Sequence, residues 1–153
     1  KLITMDYEIV EQKEKQVVGL TARTGNLDPD CQKIIGGLWQ DIMDKQIAES
    51  IRNKANGYFV GLYSNYDFKE MTYDVTVGCE VTANGNPELT AKTLPAGRYA
   101  MFRVHGDVVK DVSEAWNTIW ALPLERTFTG DYEEYVSNEN GAADVNIYIA
   151  LKN

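Results

Sequence analysis

From Met71 to Thr82 the chain alternates without a break. Tyr73, Val75, Val77, Cys79 and Val81 share one parity; Asp74, Thr76, Gly78, Glu80 and Thr82 share the other. Side chains on a strand change face at every residue, so this run predicts an antiparallel strand with one covered and one wet face. A slip of one residue would turn all five apolar groups to water, which makes the register a strong constraint. Val75, Val77 and Cys79 are therefore expected beneath a helix, with Asp74 and Glu80 exposed.

What precedes this strand recurs after it. Glu14 to Thr24 reads as a strand, Asp28-Pro29-Asp30 as a helix start, and Tyr58 to Asn65 as a second strand. Between them Ile35, Trp39, Met43, Ile47 and Ile51 recur every four residues, with Ile34, Leu38 and Ile42 beside them, predicting a helix of about six turns. After the break at Asn84-Gly85-Asn86-Pro87, Leu89 to Val104 is strand material interrupted at Pro95-Ala96-Gly97. Val109, Val112, Trp116, Ile119 and Trp120 then form a second helical stripe closed by Pro123; Asp131–Ser137 and Asp144–Leu151 read as strands. Trp116 follows Trp39 by 77 positions. The pattern predicts an α+β fold of tandem duplicated βαββ repeats, about 1–84 and 87–153, in one domain spanning 1–153. They would form one antiparallel sheet with two long helices on one face and a cleft between the repeats. Trp39 and Trp116 should hold equivalent places on the sheet-facing sides of their helices.

The 153 residues carry 15 Lys+Arg against 23 Asp+Glu, a net charge of −8. That balance argues against direct nucleic-acid binding and suits a cationic ligand or a basic partner. Cys31 and Cys79 lack metal-ligand spacing and read as reduced thiols; with His105 the only histidine, no metal or cofactor site is expected. No apolar run is long enough to span a membrane, and Lys1-Leu2-Ile3 opens no signal peptide, so the expected location is cytoplasmic.

Nucleotide, hydrolase and metalloprotease motifs are missing: Gly36-Gly37 is not followed by Lys-Ser/Thr, and there is no G-x-S-x-G or H-E-x-x-H. His105, before Gly106, reads as a strand-end residue ahead of any role as base or ligand. The pair Glu133-Glu134 is more informative. Flanked by Tyr132 and Tyr135 on a strand, it must send one carboxylate to the covered side, near aromatic rings. A carboxylate there needs a partner, and a hydrophobic cation is one such partner. Which glutamate faces inward is left open, because both parities of the strand mix apolar and polar residues.

These residues resemble the effector-binding domain of AraC-type and gyrase-inhibitor-like (GyrI-like) proteins. The resemblance rests on L-P-A-G-R-Y-A at 94–100, H-G at 105–106, A-W-x-x-I-W at 115–120 and Y-E-E-Y at 132–135, with L-W at 38–39 and G-L-Y at 61–63 in the first half. It implies a ligand pocket where the halves meet. There Glu133 would face lipophilic cationic compounds, with Tyr135, Tyr63, Trp39 and Trp116 as aromatic walls. Members are often fused to a helix-turn-helix DNA-binding domain; none is seen in this chain, so ligand capture is the expected role, alone or with a separate regulatory protein. Two alternatives stand beside it: a hydrolase of strained electrophiles using Glu133 as general base, and an acidic inhibitor of a basic protein. The absence of an evident second catalytic group beside the glutamate favours binding.

Overall fold

The computed structural model describes residues 5–153. Among these residues eight strands and three helices follow one another as β1 (Glu8–Gln12), β2 (Lys15–Thr24), α1 (Cys31–Asp44), α2 (Ile47–Ser50), β3 (Phe59–Asp67), β4 (Thr72–Val81), β5 (Thr90–Leu94), β6 (Gly97–Asp107), α3 (Lys110–Ala121), β7 (Asp131–Glu139) and β8 (Ala142–Leu151). All eight strands join one antiparallel sheet in the order β1-β6-β8-β7-β3-β4-β2-β5. That order reads the same from either end once β1 to β4 are exchanged with β5 to β8. The duplication is therefore two-fold about the β3–β7 seam. Each repeat also carries one strand more than βαββ: β1 and β5 leave their own halves to pair with β6 and β2 of the other.

Both helices lie on the same face. Val77, Gly61, Glu133, Ile147 and Phe102 are successive cross-strand partners and so point to one side. At one end Val77 packs with Ile35, Leu38 and Trp39 of α1; at the other Phe102 and Ile147 pack with Val112, Ala115 and Ile119 of α3. The register expected for β4 holds, with all five apolar residues buried. Cys79 departs in detail: it lies under Ile51, just beyond α2, with Val18 and Val81.

The other face is not the wet surface expected. Asp74 and Glu80 are half-buried in ion pairs, with Arg23 and Lys92 and with Lys15 respectively, and Thr76 is fully buried against Thr21. The cause is curvature. Leu94 ends β5 and Gly97 begins β6, about 11 Å later at full stretch. Yet β5 and β6 stand six places apart in the sheet, about 29 Å if it were flat. The Gln12-to-Lys15 link between β1 and β2 imposes the same closure. The sheet curls until its edges approach, and Leu62, Leu94, Tyr99, Tyr132 and Tyr148 pack together inside the trough as a second core. The paired glycines Gly19 and Gly78 permit this curl, since a Cβ on either would run into the backbone carbonyl of Val77 or Val18.

The first helix is shorter than its four-residue spacing predicts. At 3.6 residues per turn a strict four-residue stripe rotates by about 40° per step, so Ile35 and Ile51 cannot share one face of a straight helix. Accordingly α1 ends at Asp44, Gln46 adopts the left-handed conformation at φ 53°, and α2 is a single turn. Met43 has rotated out to solvent, leaving Cys31, Ile35, Leu38, Trp39 and Ile42 as the packed stripe. Val109 likewise caps α3 in solvent instead of joining its stripe. No helix among the described residues is long and apolar enough to cross a membrane.

Both thiols are free and buried, and burial pushes that of Cys79 up. Native protein should therefore react only slowly with a thiol reagent, and protein unfolded in urea should label at both positions within seconds. Rapid labelling of Cys79 in native protein would show that the Val18–Ile51–Val81 cluster opens readily.

Candidate functional site

The seam between β3 and β7 places Gly61 opposite Glu133. Glu133 shares its face with Asp131 and Tyr135, beneath the helices, while Glu134 points into the trough, within the influence of Lys15. The parity that the pattern of residues left open is thus decided: Glu133 lies on the helix side, 3% exposed.

Three neutral donors hold its carboxylate. The Trp116 indole N–H donates to Oε2 at 2.6 Å, the Tyr135 hydroxyl to Oε1 at 2.8 Å, and the Tyr63 hydroxyl to Oε2 at 3.3 Å. Burial raises the Glu133 carboxyl above its ordinary value, and the three hydrogen bonds oppose that shift. Burial and the neighbouring carboxylate raise the Tyr63 and Tyr135 hydroxyls too, so both remain protonated donors.

The rings are arranged crosswise. Trp39 of α1 meets Tyr135 of β7 edge to face with centroids 4.9 Å apart, and Trp116 of α3 meets Tyr63 of β3 in the same way at 5.1 Å. Both tryptophans face the sheet, in places related by the two-fold. Phe59 extends the cluster beyond Trp39 and Tyr73 beyond Tyr63. All five residues expected at the site therefore come together. The four rings, each half-buried, stand in two pairs around Glu133 where the repeats meet. A hollow of about 790 Å³ at Glu11–Gln16 and Glu80–Asn84 touches none of them.

Two features escaped the sequence. A Cβ on Gly61 would stand 2.9 Å from Glu133 Oε1 and 3.3 Å from the Trp39 ring, so this glycine makes room for both. Its G-L-Y context was the available signal, but the partner 72 positions away was not visible. The second feature is Asp131, which is fully buried and receives Arg126 at 2.7 Å, the Tyr66 hydroxyl at 2.6 Å and the Ala150 amide at 2.9 Å. His105 pairs with Asp144 at 2.6 Å on the exposed end of β6, as a strand-end residue would.

Comparison with known proteins agrees with this fold. The family model described as the GyrI-like small molecule binding domain matches residues 5–152. The chain is 32% identical to the Bacillus subtilis (strain 168) protein named "Putative transcriptional regulator protein YobU", over 90% of this chain and 92% of that one. The integron cassette protein VCH_CASS2, from the mobile metagenome of Vibrio cholerae, is 28% identical and superposes with a TM-score of 0.75 over 95% of each chain. SAV2435, solved with tetraphenylphosphonium bound, shares the fold at a TM-score of 0.78 and 18% identity, over 97% of this chain and 94% of that one.

Proposed function

Because the chain belongs to the GyrI-like small-molecule binding domain family, related to the effector domains of transcription regulators, we propose that it captures lipophilic organic cations at Glu133. The observation that carries this reading is a missing counter-charge. Of the two most deeply buried carboxylates, Asp131 has Arg126, whereas Glu133 has no cationic side chain within 4 Å among the described residues. A carboxylate taken out of water and left without a cation is costly, and neutral donors offset only part of that cost. An organic cation entering between α1 and α3 would supply the charge. The faces of Trp39, Tyr63, Trp116 and Tyr135 would cover its body, as ring quadrupoles favour.

The test is calorimetric titration with N-methylacridinium and with acridine, which is flat, similar in size and uncharged at pH 7.5. The cation should bind with a dissociation constant on the order of micromolar, about −8 kcal/mol. Acridine should bind at least tenfold more weakly, since it makes neither the charge–charge contact with Glu133 nor the cation–π contacts with the rings. Equal affinity, or no binding of the cation, would overturn the reading.

A further inference from the structure

Resting on that reading, we infer that the site selects cations whose charge lies at the centre of the molecule between two flat arms, and that Gly61 is the residue that makes it so. The argument starts from symmetry. The Gly61–Glu133 pair sits on the two-fold seam of the sheet. To one side of it stands the Trp39–Tyr135 pair, at 4.9 Å and 71°; to the other stands Trp116–Tyr63, at 5.1 Å and 68°. The two aromatic walls are thus near copies, each built from one helix and the opposite repeat's strand. The hydroxyls of Tyr63 and Tyr135, each two residues beyond the central pair on its own strand, both reach the same carboxylate.

The symmetry breaks at the seam itself, where Trp116 also bonds the carboxylate through its indole N–H and Trp39 packs on the glycine. One repeat supplies a carboxylate at the seam, and the other supplies a glycine. Gly61 has no positive φ to account for it, and a glycine inside a strand costs about 0.5–1 kcal/mol relative to alanine. Its use is spatial: a methyl there would press on Oε1 at 2.9 Å and on Trp39 at 3.3 Å. The site therefore holds a single carboxylate between two similar aromatic walls, Oε1 bonded to Tyr135 of one and Oε2 to Tyr63 and Trp116 of the other. A cation with its charge at one end can fill only one wall while meeting Glu133; a centrally charged cation fills both.

Two isomeric probes separate these cases. Dibenzyldimethylammonium carries its nitrogen between two phenyl rings, and (biphenyl-4-ylmethyl)trimethylammonium carries the same charge and the same two rings with nitrogen at one end. The first should bind about tenfold more tightly, the worth of one further aromatic pairing. Gly61→Ala should remove most of that preference and shift the Glu133 carboxyl titration, followed by carbon-13 NMR without ligand. Gly36→Ala, in the open on α1, controls for the methyl group itself. Equal affinities of the two isomers, or a preference for the terminal charge, would overturn the inference and leave cation capture standing. Failure of both isomers and of N-methylacridinium to bind would overturn both. An unchanged preference and titration in Gly61→Ala would remove Gly61 from the account.

Discussion

Arg126→Met should destabilise the protein by about 3–5 kcal/mol, the usual cost of stripping one partner from a buried ion pair. Arg126 is almost wholly buried and bonds Asp131, itself fully buried, at 2.7 Å. Its guanidinium also lies 4.4 Å from the Trp120 ring and 4.3 Å from that of Phe128. Methionine keeps much of the packing and removes the charge, leaving the Asp131 carboxylate with the Tyr66 hydroxyl and the Ala150 amide alone. Domains of this size are stable by only about 5–15 kcal/mol in total, so thermal unfolding should begin roughly 6–20 °C lower. Combining it with Asp131→Asn should recover most of the loss, because asparagine still accepts from Ala150 and carries no charge. A melting curve unchanged by Arg126→Met would show that the pair contributes nothing net. A double variant no better than the single would mean that poorer packing, not an uncompensated charge, is the cause.

Glu133→Gln should act in opposite directions on stability and on binding. Burial raises the Glu133 carboxyl above its ordinary value of 4.5 in the folded protein. Between that value and the raised one the folded state holds a proton that the unfolded state has released. Stability due to this group is therefore greatest at low pH and falls as pH rises through the window. Glutamine has nothing to titrate, so the variant's advantage over wild type should grow across the window and level off above it. Denaturant midpoints measured at half-unit steps from pH 4 to 8 would show this; a difference that shrinks with rising pH would reverse the assignment. Binding moves the other way. The isosteric amide should weaken N-methylacridinium by about 1–3 kcal/mol, roughly 5- to 150-fold, the part of a close charge–charge attraction that remains after desolvation. Acridine should be nearly indifferent. In wild type, cation affinity should itself fall as pH drops and Glu133 takes up its proton. Glu134→Gln, altered on the trough side of the sheet, is the control. Loss of cation binding in that control with Glu133→Gln unaffected would place the charge on the wrong residue.

Local pattern alone determined a good part of this protein. The parity of Tyr73 to Val81, the apolar runs of β2, β3 and β8 and the breaks at Asn84–Pro87 follow from a period of two and from turn chemistry. The repeated order of strand, helix and two strands carries the duplication, and with it both helices on one face, since each needs an apolar surface to cover. Motifs common to the family brought Glu133, Tyr135, Tyr63, Trp39 and Trp116 into one candidate set.

What local pattern did not contain were relations between distant positions. The strand β1, Glu-Ile-Val-Glu-Gln, is too short and too polar to stand out; it exists because β6 offers an edge to it. The wet face expected for β4 became a second core because two short links, Gln12 to Lys15 and Leu94 to Gly97, force the sheet to curl. The length of α1 was set by the mismatch between four residues and 3.6 per turn. Glu133 and Glu134 are equivalent in alternation and differ only in which side the helices cover. The absence, among the described residues, of a cationic side chain at Glu133, its presence at Asp131, and the glycine that faces the glutamate across the seam are likewise properties of three-dimensional neighbours. A residue's parity belongs to its own strand, but its partner belongs to the sheet, and the chemistry of this site lies in the partners.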